Sequence, residues 1–157
     1  LALALIERYI ERELEMFEAL FDRARELHDD PLQQFLVGLK LFAELMADLP
    51  EGHPGCLIAT SCYQEQLFDQ RIQELNQSAL LAWRQRFRDQ FKKIAAIYPL
   101  QDSVELDALA DMVSSTVEGG IIMSKAMKTP SILPEQILLL RSYIKLLFMP
   151  KMPDLNN

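Results

Sequence analysis

Histidine, cysteine and glycine are scarce in this chain, and each scarcity removes a class of chemistry. Only His28 and His53 offer an imidazole. Neither stands in an E-x-x-H or H-E-x-x-H spacing, so the sequence carries no helical di-iron or zinc motif. The two cysteines, Cys56 and Cys62, fall on what should be one helix. There they point about 240° apart and cannot close an intrahelical disulfide. Thiols left in that state fit a reducing, cytoplasmic setting. Gly119 and Gly120 are the only adjacent glycines. No G-x-x-x-x-G-K-S/T or G-x-G-x-x-G pattern surrounds them and no strand precedes them, so they are not a phosphate loop. Ser114 and Ser115 have no base at a useful spacing. With no cofactor motif, no metal motif and no nucleophile paired with a base, the expectation is a protein that is not an enzyme.

Positive charge is also in deficit. Sixteen Lys and Arg against 23 Asp and Glu leave a formal charge of −7, and a surface of that sign repels phosphate. DNA contact is therefore not expected from these residues. Long apolar runs are missing as well: Leu1 to Ile6 is cut short by Glu7 and Arg8, too soon for a signal peptide or a membrane span. The chain opens inside a helical pattern without an initiator Met, which reads as an N-terminal piece absent from this sequence. Sustained alternation, hairpin dipeptides and fixed-period repeats are all lacking. The class is all-α, and 157 residues of which 50% are hydrophobic are enough for one buried core. The domain is expected over 1–149, with a flexible tail over 150–157 marked by Pro150 and Pro153.

What is present is helical periodicity in six segments. Ile6, Ile10, Leu14, Phe17, Phe21, Ala24 and His28 recur at steps of three or four, with Glu7, Arg8, Glu11, Arg12 and Glu15 between them, giving a first helix over 1–28. Asp30-Pro31 starts a second, to about 49. His53-Pro54-Gly55-Cys56-Leu57-Ile58-Ala59 is a turn into a short third helix, about 55–63, with Pro54 suited to its first turn. The fourth is expected unbroken from about Glu65 to Tyr98, striped by Phe68, Ile72, Leu75, Ala79, Trp83, Phe87, Phe91 and Ile94. Asp102 with Glu105 three residues on resembles a capping box opening a fifth, to about Met127. Pro134 opens a sixth, to about Phe148, apolar around nearly its whole circumference.

Two glycines within a helix cost about 1 kcal/mol each relative to Ala, so Gly119 and Gly120 call for a close neighbour. Ala108, Met112, Ser115, Gly119, Met123 and Ala126 make a face of small and flexible residues against which another helix can pack. A last helix apolar all round must be covered on both sides. The expected interface of an isologous homodimer therefore comprises Met112, Ser115, Gly119 and Met123 with Ile137, Leu140, Ile144 and Leu147. The plainer alternative is a final helix sunk in a monomeric core.

Phe17, Phe21, Phe35, Phe42, Trp83, Phe87 and Phe91 lie on the inward stripes of different helices, and bulky groups converging in this way can leave a cavity for an apolar guest. The ligand-binding candidates are Phe17, Phe21, Phe42, Cys62, Trp83, Phe87, Met112 and Thr116, with His28 and Tyr63 as further polar groups. The competing reading is a filled core. Arg84, Arg86, Arg88, Lys92 and Lys93 give the fourth helix a basic bias, but they spread over several sides with no aromatic platform among them, so they read as a solvated face and not a nucleic-acid surface.

In this order of helices the chain resembles the C-terminal core of TetR-family transcription regulators. Leu1-Ala2-Leu3-Ala4-Leu5-Ile6-Glu7-Arg8 looks like the start of that family's connecting helix. The His53-Pro54-Gly55-Cys56-Leu57 turn resembles one that precedes a short helix in a subset of the family, and Val117-Glu118-Gly119-Gly120-Ile121-Ile122-Met123-Ser124-Lys125-Ala126 resembles that subset's eighth helix. The resemblance implies a six-helix core whose last two helices form a four-helix dimer bundle. It also implies a small-molecule effector, no cofactor, and operator DNA read by an N-terminal helix-turn-helix that this sequence lacks, usually with repression relieved by ligand. The rival function is a stand-alone helical interaction or scaffold domain without an effector.

Overall fold

The computed structural model describes residues 1–148, so the expected tail over 150–157 lies outside the described residues. The described residues form six α-helices and a single 3-10 turn: α1 Ala2–Leu27, α2 Pro31–Ala47, α3 Leu57–Tyr63, the turn Glu65–Leu67, α4 Gln70–Ala95, α5 Leu106–Ala126 and α6 Ile132–Phe148. No strand occurs among the described residues. No helix among them is long and apolar enough to cross a membrane.

The helix starts follow local chemistry, though not always where the sequence pattern places them. Asp30 caps α2, its Oδ2 accepting the Gln33 N–H at 2.9 Å while Oδ1 accepts the Tyr98 hydroxyl at 2.9 Å. The expected unbroken helix from Glu65 is in fact interrupted: α4 begins afresh at Gln70, where Asp69 Oδ1 accepts the Ile72 N–H at 3.2 Å. The capping box at Asp102 does not form. Asp102 bonds its neighbour Ser103, the Gln101 N–H donates to the Leu147 carbonyl at 2.8 Å, and α5 starts only at Leu106. Tertiary contact overrides the local signal there, because Leu100 and Val104 pack on the core and hold the connection outside the helix. Pro54 likewise precedes α3 instead of opening it.

Packing runs in a circuit. α2 lies against α1 and α6, α6 against α5, and α5 against α4, which returns to α1. The principal core gathers Phe35, Leu39, Phe91, Ile137, Ile144 and Phe148, all fully buried. A smaller cluster, Ile6, Ile10, Ile58, Ile72 and Ala79, joins the first half of α1 to α3 and the start of α4. Gly120 allows α5 and α6 to approach closely: a Cβ there would meet Leu133 Cδ1 at 2.9 Å and its Cα at 3.2 Å. At Gly119 nothing lies within 4 Å, so the close neighbour expected for the pair belongs to one glycine only.

Candidate functional site: a cavity at the seam of two cores

At the seam between the two apolar clusters a cavity of about 120 Å³ remains. Ile10 and Ile58 border it from the smaller cluster, and Phe17, Phe42, Phe87, Val113 and Ile121 from the larger. Its aromatic wall is locked edge to face. The Phe17 ring stands 5.5 Å from Phe42, 4.9 Å from Trp83 and 5.4 Å from Phe87, all close to perpendicular. Such contacts hold the rings in fixed orientations, so the space among them is shaped and not fluid.

The opposite side is polar and half-exposed. Tyr9 and Glu13 of α1, His53 and Cys56 of the turn, and Ser114 and Glu118 of α5 border it. The turn is built to put its two residues there. Gly52 and Gly55 take φ of +75° and +123°, values that favour glycine. His53 Nδ1 accepts the Gly55 N–H at 3.0 Å, and Lys125 Nζ donates to the Pro54 carbonyl at 2.9 Å, pinning the turn to α5. With Nδ1 accepting, the neutral imidazole carries its proton on Nε2. Burial, and then the charge of Lys125, hold the His53 pKa below its ordinary value.

Burial pushes the remaining titratable groups up. The Glu13 carboxyl is raised first by desolvation and then by the charge of Glu118, against a lowering by Arg12. Glu118 is raised by desolvation, partly offset by a hydrogen bond from the Cys56 thiol. Tyr9, raised chiefly by burial, donates its hydroxyl to Cys56. Cys56 is raised by burial too, which keeps it a protonated thiol of little nucleophilic power. Among the described residues no three His, Cys, Asp or Glu side chains cluster so as to hold a metal ion.

Of the residues named from the sequence as ligand contacts, the structure brings Phe17, Phe42, Trp83 and Phe87 together on this cavity. Phe21 does not reach it. That ring presses on the α2 backbone at Gly38, where a Cβ would lie 2.6 Å from it, and borders a separate recess of about 40 Å³ with Arg25 and Arg86. Cys62, Met112 and Thr116 are not on the wall either. Cys62 is exposed on α3 and Met112 on α5, and on α5 it is Val113 and Val117, the residues next to Met112 and Thr116, that turn inward. His28 and Tyr63 are exposed as well. The polar residues on the side opposite the aromatic wall were not named as ligand contacts, although one signal existed. Glu13 occupies an inward position three residues after Ile10 and four before Phe17, where the stripe calls for an apolar side chain.

The interface candidates divide in the same way. Ile137, Leu140, Ile144 and Leu147 are at most 4% exposed and belong to the chain's own core, facing α2 and α5. Met112, Ser115 and Met123 are exposed, as are Ala108 and Ala126 on the same face, and none of the described helices covers them. On α6 the outward apolar residues are Leu139 and Leu146, 61% and 72% exposed. Three basic residues of α4 are engaged with neighbouring carboxylates. Arg84 makes two bonds of 2.8 Å to Asp111, Arg88 lies 3.3 Å from Asp107, and Arg86 pairs with Glu18 over the Trp83 ring.

This arrangement of helices recurs in solved proteins. The regulatory protein TetR from Rhodobacter sphaeroides matches with a TM-score of 0.69 at 23% identity, over 94% of this chain and 74% of that one. The fold is TetR-like. A TetR-family transcriptional regulator from Cytophaga hutchinsonii matches with a TM-score of 0.67 at 15% identity, over 90% of this chain and 70% of its own. No protein-family model and no curated protein matches the sequence. Within the TetR-like frame the cavity is walled by α1, α2, α3, α4, α5 and the turn before α3, six parts of the fold.

Proposed function

We propose that this chain is the effector-binding and dimerisation body of a ligand-responsive transcriptional regulator, acting as a repressor and not as an enzyme. The observation that carries this reading is the shaped cavity inside a TetR-like fold, bordered along one side by Tyr9, Ile10, Glu13, Met16 and Phe17 of α1. In the proposed full-length protein α1 connects this body to an N-terminal helix-turn-helix. A guest that pushes Phe17 or Glu13 shifts that helix, and two heads held by a homodimer then lose their match to half-sites about one helical turn apart. The net charge of −7 agrees with leaving DNA contact to those heads. The protein so described acts in the cytoplasm and needs no cofactor.

Thermal melting against a panel of small aromatic and aliphatic compounds, neutral and charged, tests the effector. A ligand present at about a hundred times its Kd adds roughly 2.7 kcal/mol, which for a chain of this length raises Tm by about 5–10 °C. The rise should disappear in Trp83→Ala and Phe42→Ala while the unliganded variants still melt cooperatively. Should no class of compound raise Tm, the protein is better described as a helical scaffold domain.

A further inference from the structure

The two sides of the cavity differ in chemistry as well as in depth. Phe17, Phe42 and Phe87 are buried, whereas Glu13 and Glu118 are half-exposed at the opening, one on α1 and the other on α5. Among the described residues no Lys or Arg nitrogen lies within 4.0 Å of either carboxylate. The bases nearby are otherwise engaged: Lys125 Nζ bonds the Pro54 carbonyl, and His53 is held as a neutral imidazole by the Gly55 N–H. The opening thus presents two acids, a phenol, a thiol and a neutral imidazole; the charge of Arg12 reaches Glu13, but no base is ion-paired with either acid among the described residues.

We propose that the cavity takes an organic cation with a one-ring body, the ring entering among Phe17, Phe42, Trp83 and Phe87 and the charged nitrogen lying between Glu13 and Glu118. The proposal rests on the effector reading above and adds the charge class of the guest. Two carboxyls that are partly desolvated and mutually repelling gain from a positive charge more than from any neutral group. Electron-rich ring faces behind them attract the same cation. An anion would meet two carboxylates with only the Arg12 charge beside Glu13 to offset them, and a neutral guest would gain from the aromatic wall alone. Size fits one ring, since an apolar cavity of about 150 Å³ holds benzene and this one measures about 120 Å³.

Three probes with one body and different heads test this: 3-phenylpropylammonium, 3-phenylpropanol and 3-phenylpropionate, titrated into the full chain near neutral pH. Trp83 is the sole tryptophan, so its fluorescence reports the cavity directly, with calorimetry as the second readout. The ammonium should bind at least about tenfold more tightly than the alcohol, the worth of one charge-assisted contact, and the carboxylate should bind most weakly. Glu13→Gln and Glu118→Gln should each remove most of that preference and leave the alcohol's affinity unchanged. Lowering the pH should weaken the ammonium alone, because protonation of Glu13 and Glu118 removes the attraction. The groups acting on these two are Tyr9 and Arg12 on α1 and Cys56 on the turn, and beside them on the same cavity lies His53, which Lys125 of α5 faces. Of these, His53 becoming charged acts in the same direction. Equal or tighter binding of the alcohol or the carboxylate, or a preference that survives in the double Gln variant, overturns the proposal. If that binding is abolished in Trp83→Ala, the effector reading stands while the cation is lost. Failure of all three probes overturns the cation as well and leaves the effector to the wider panel.

Discussion

Glu13, Glu118 and His53 set opposite pH dependences within one small volume. A carboxyl whose native pKa lies above its unfolded value favours folding in acid, and that contribution is lost as pH rises through the raised value. Ionising Glu13 and Glu118 therefore costs stability that the protonated carboxyls retain. Glu118→Gln, which keeps shape and removes charge, should raise Tm by roughly 1–3 °C at neutral pH. The gain should shrink as pH falls toward the ordinary carboxylate range, and melting curves at several pH values will show it. His53 works the other way. Its lowered pKa gives stability that is present above about 6.5 and lost as pH falls through the native value. The glycine pair offers a second test at this scale. Within a single chain Gly119→Ala meets open space, so in a monomeric Leu146→Arg background it should stabilise the fold by about 0.5–1 kcal/mol through helix propensity. Gly120→Ala drives a methyl into Leu133 and should cost about 1–3 kcal/mol. Denaturant midpoints distinguish the two. Apolar stripes made most of the aromatic wall legible from sequence. The polar rim was not, because a lone Glu on an inward register looks like its neighbours Glu11 and Glu15 until the helices are assembled.

At the level of elements, order and number of helices were legible because proline, Asx caps and a three-to-four residue period act locally. Boundaries were less so, since two Asp residues with similar surroundings took different roles. Asp69 caps α4, whereas Asp102 lies in a connection held by the Gln101 bond to Leu147 and by Leu100 and Val104 in the core. Asp69→Ala should accordingly cost about 1 kcal/mol, and Asp102→Ala only a few tenths, as paired urea titrations can check. α6 carries a related lesson. Its composition called for burial all round, yet its inward residues fall at 133, 137, 140, 144 and 147, and the outward set is offset to 139 and 146. A helix this apolar gives no internal clue to which of its stripes meets its own chain. That is why Ile137, Leu140, Ile144 and Leu147 were placed at an interface when they form the core.

For the whole molecule, the offset stripes make the proposed dimer testable without disturbing the fold. Leu139 and Leu146 on α6, and Met112, Ile122, Met123 and Met127 on or beside α5, leave large apolar side chains exposed on the last two helices. Neighbouring Ala108, Ser115, Gly119 and Ala126 add a small-residue strip that admits a second helix closely. Burying this surface against an identical copy satisfies both helices at once, and a twofold arrangement does so with the same patch on each side. Sedimentation at micromolar concentration should show a dimer. Leu146→Arg should convert it to a monomer with a cooperative melt, because the side chain it replaces is 72% exposed. Leu140→Arg should instead abolish folding, placing a charge where only 2% of the residue is accessible, at a cost of several kcal/mol. Gly119→Leu, filling the strip from outside, should weaken association while leaving the monomer intact. If the wild-type chain sediments as a monomer, or if Leu146→Arg and Gly119→Leu both still associate as tightly, the paired surface lies elsewhere on the molecule and the twofold mechanism through α1 loses its basis.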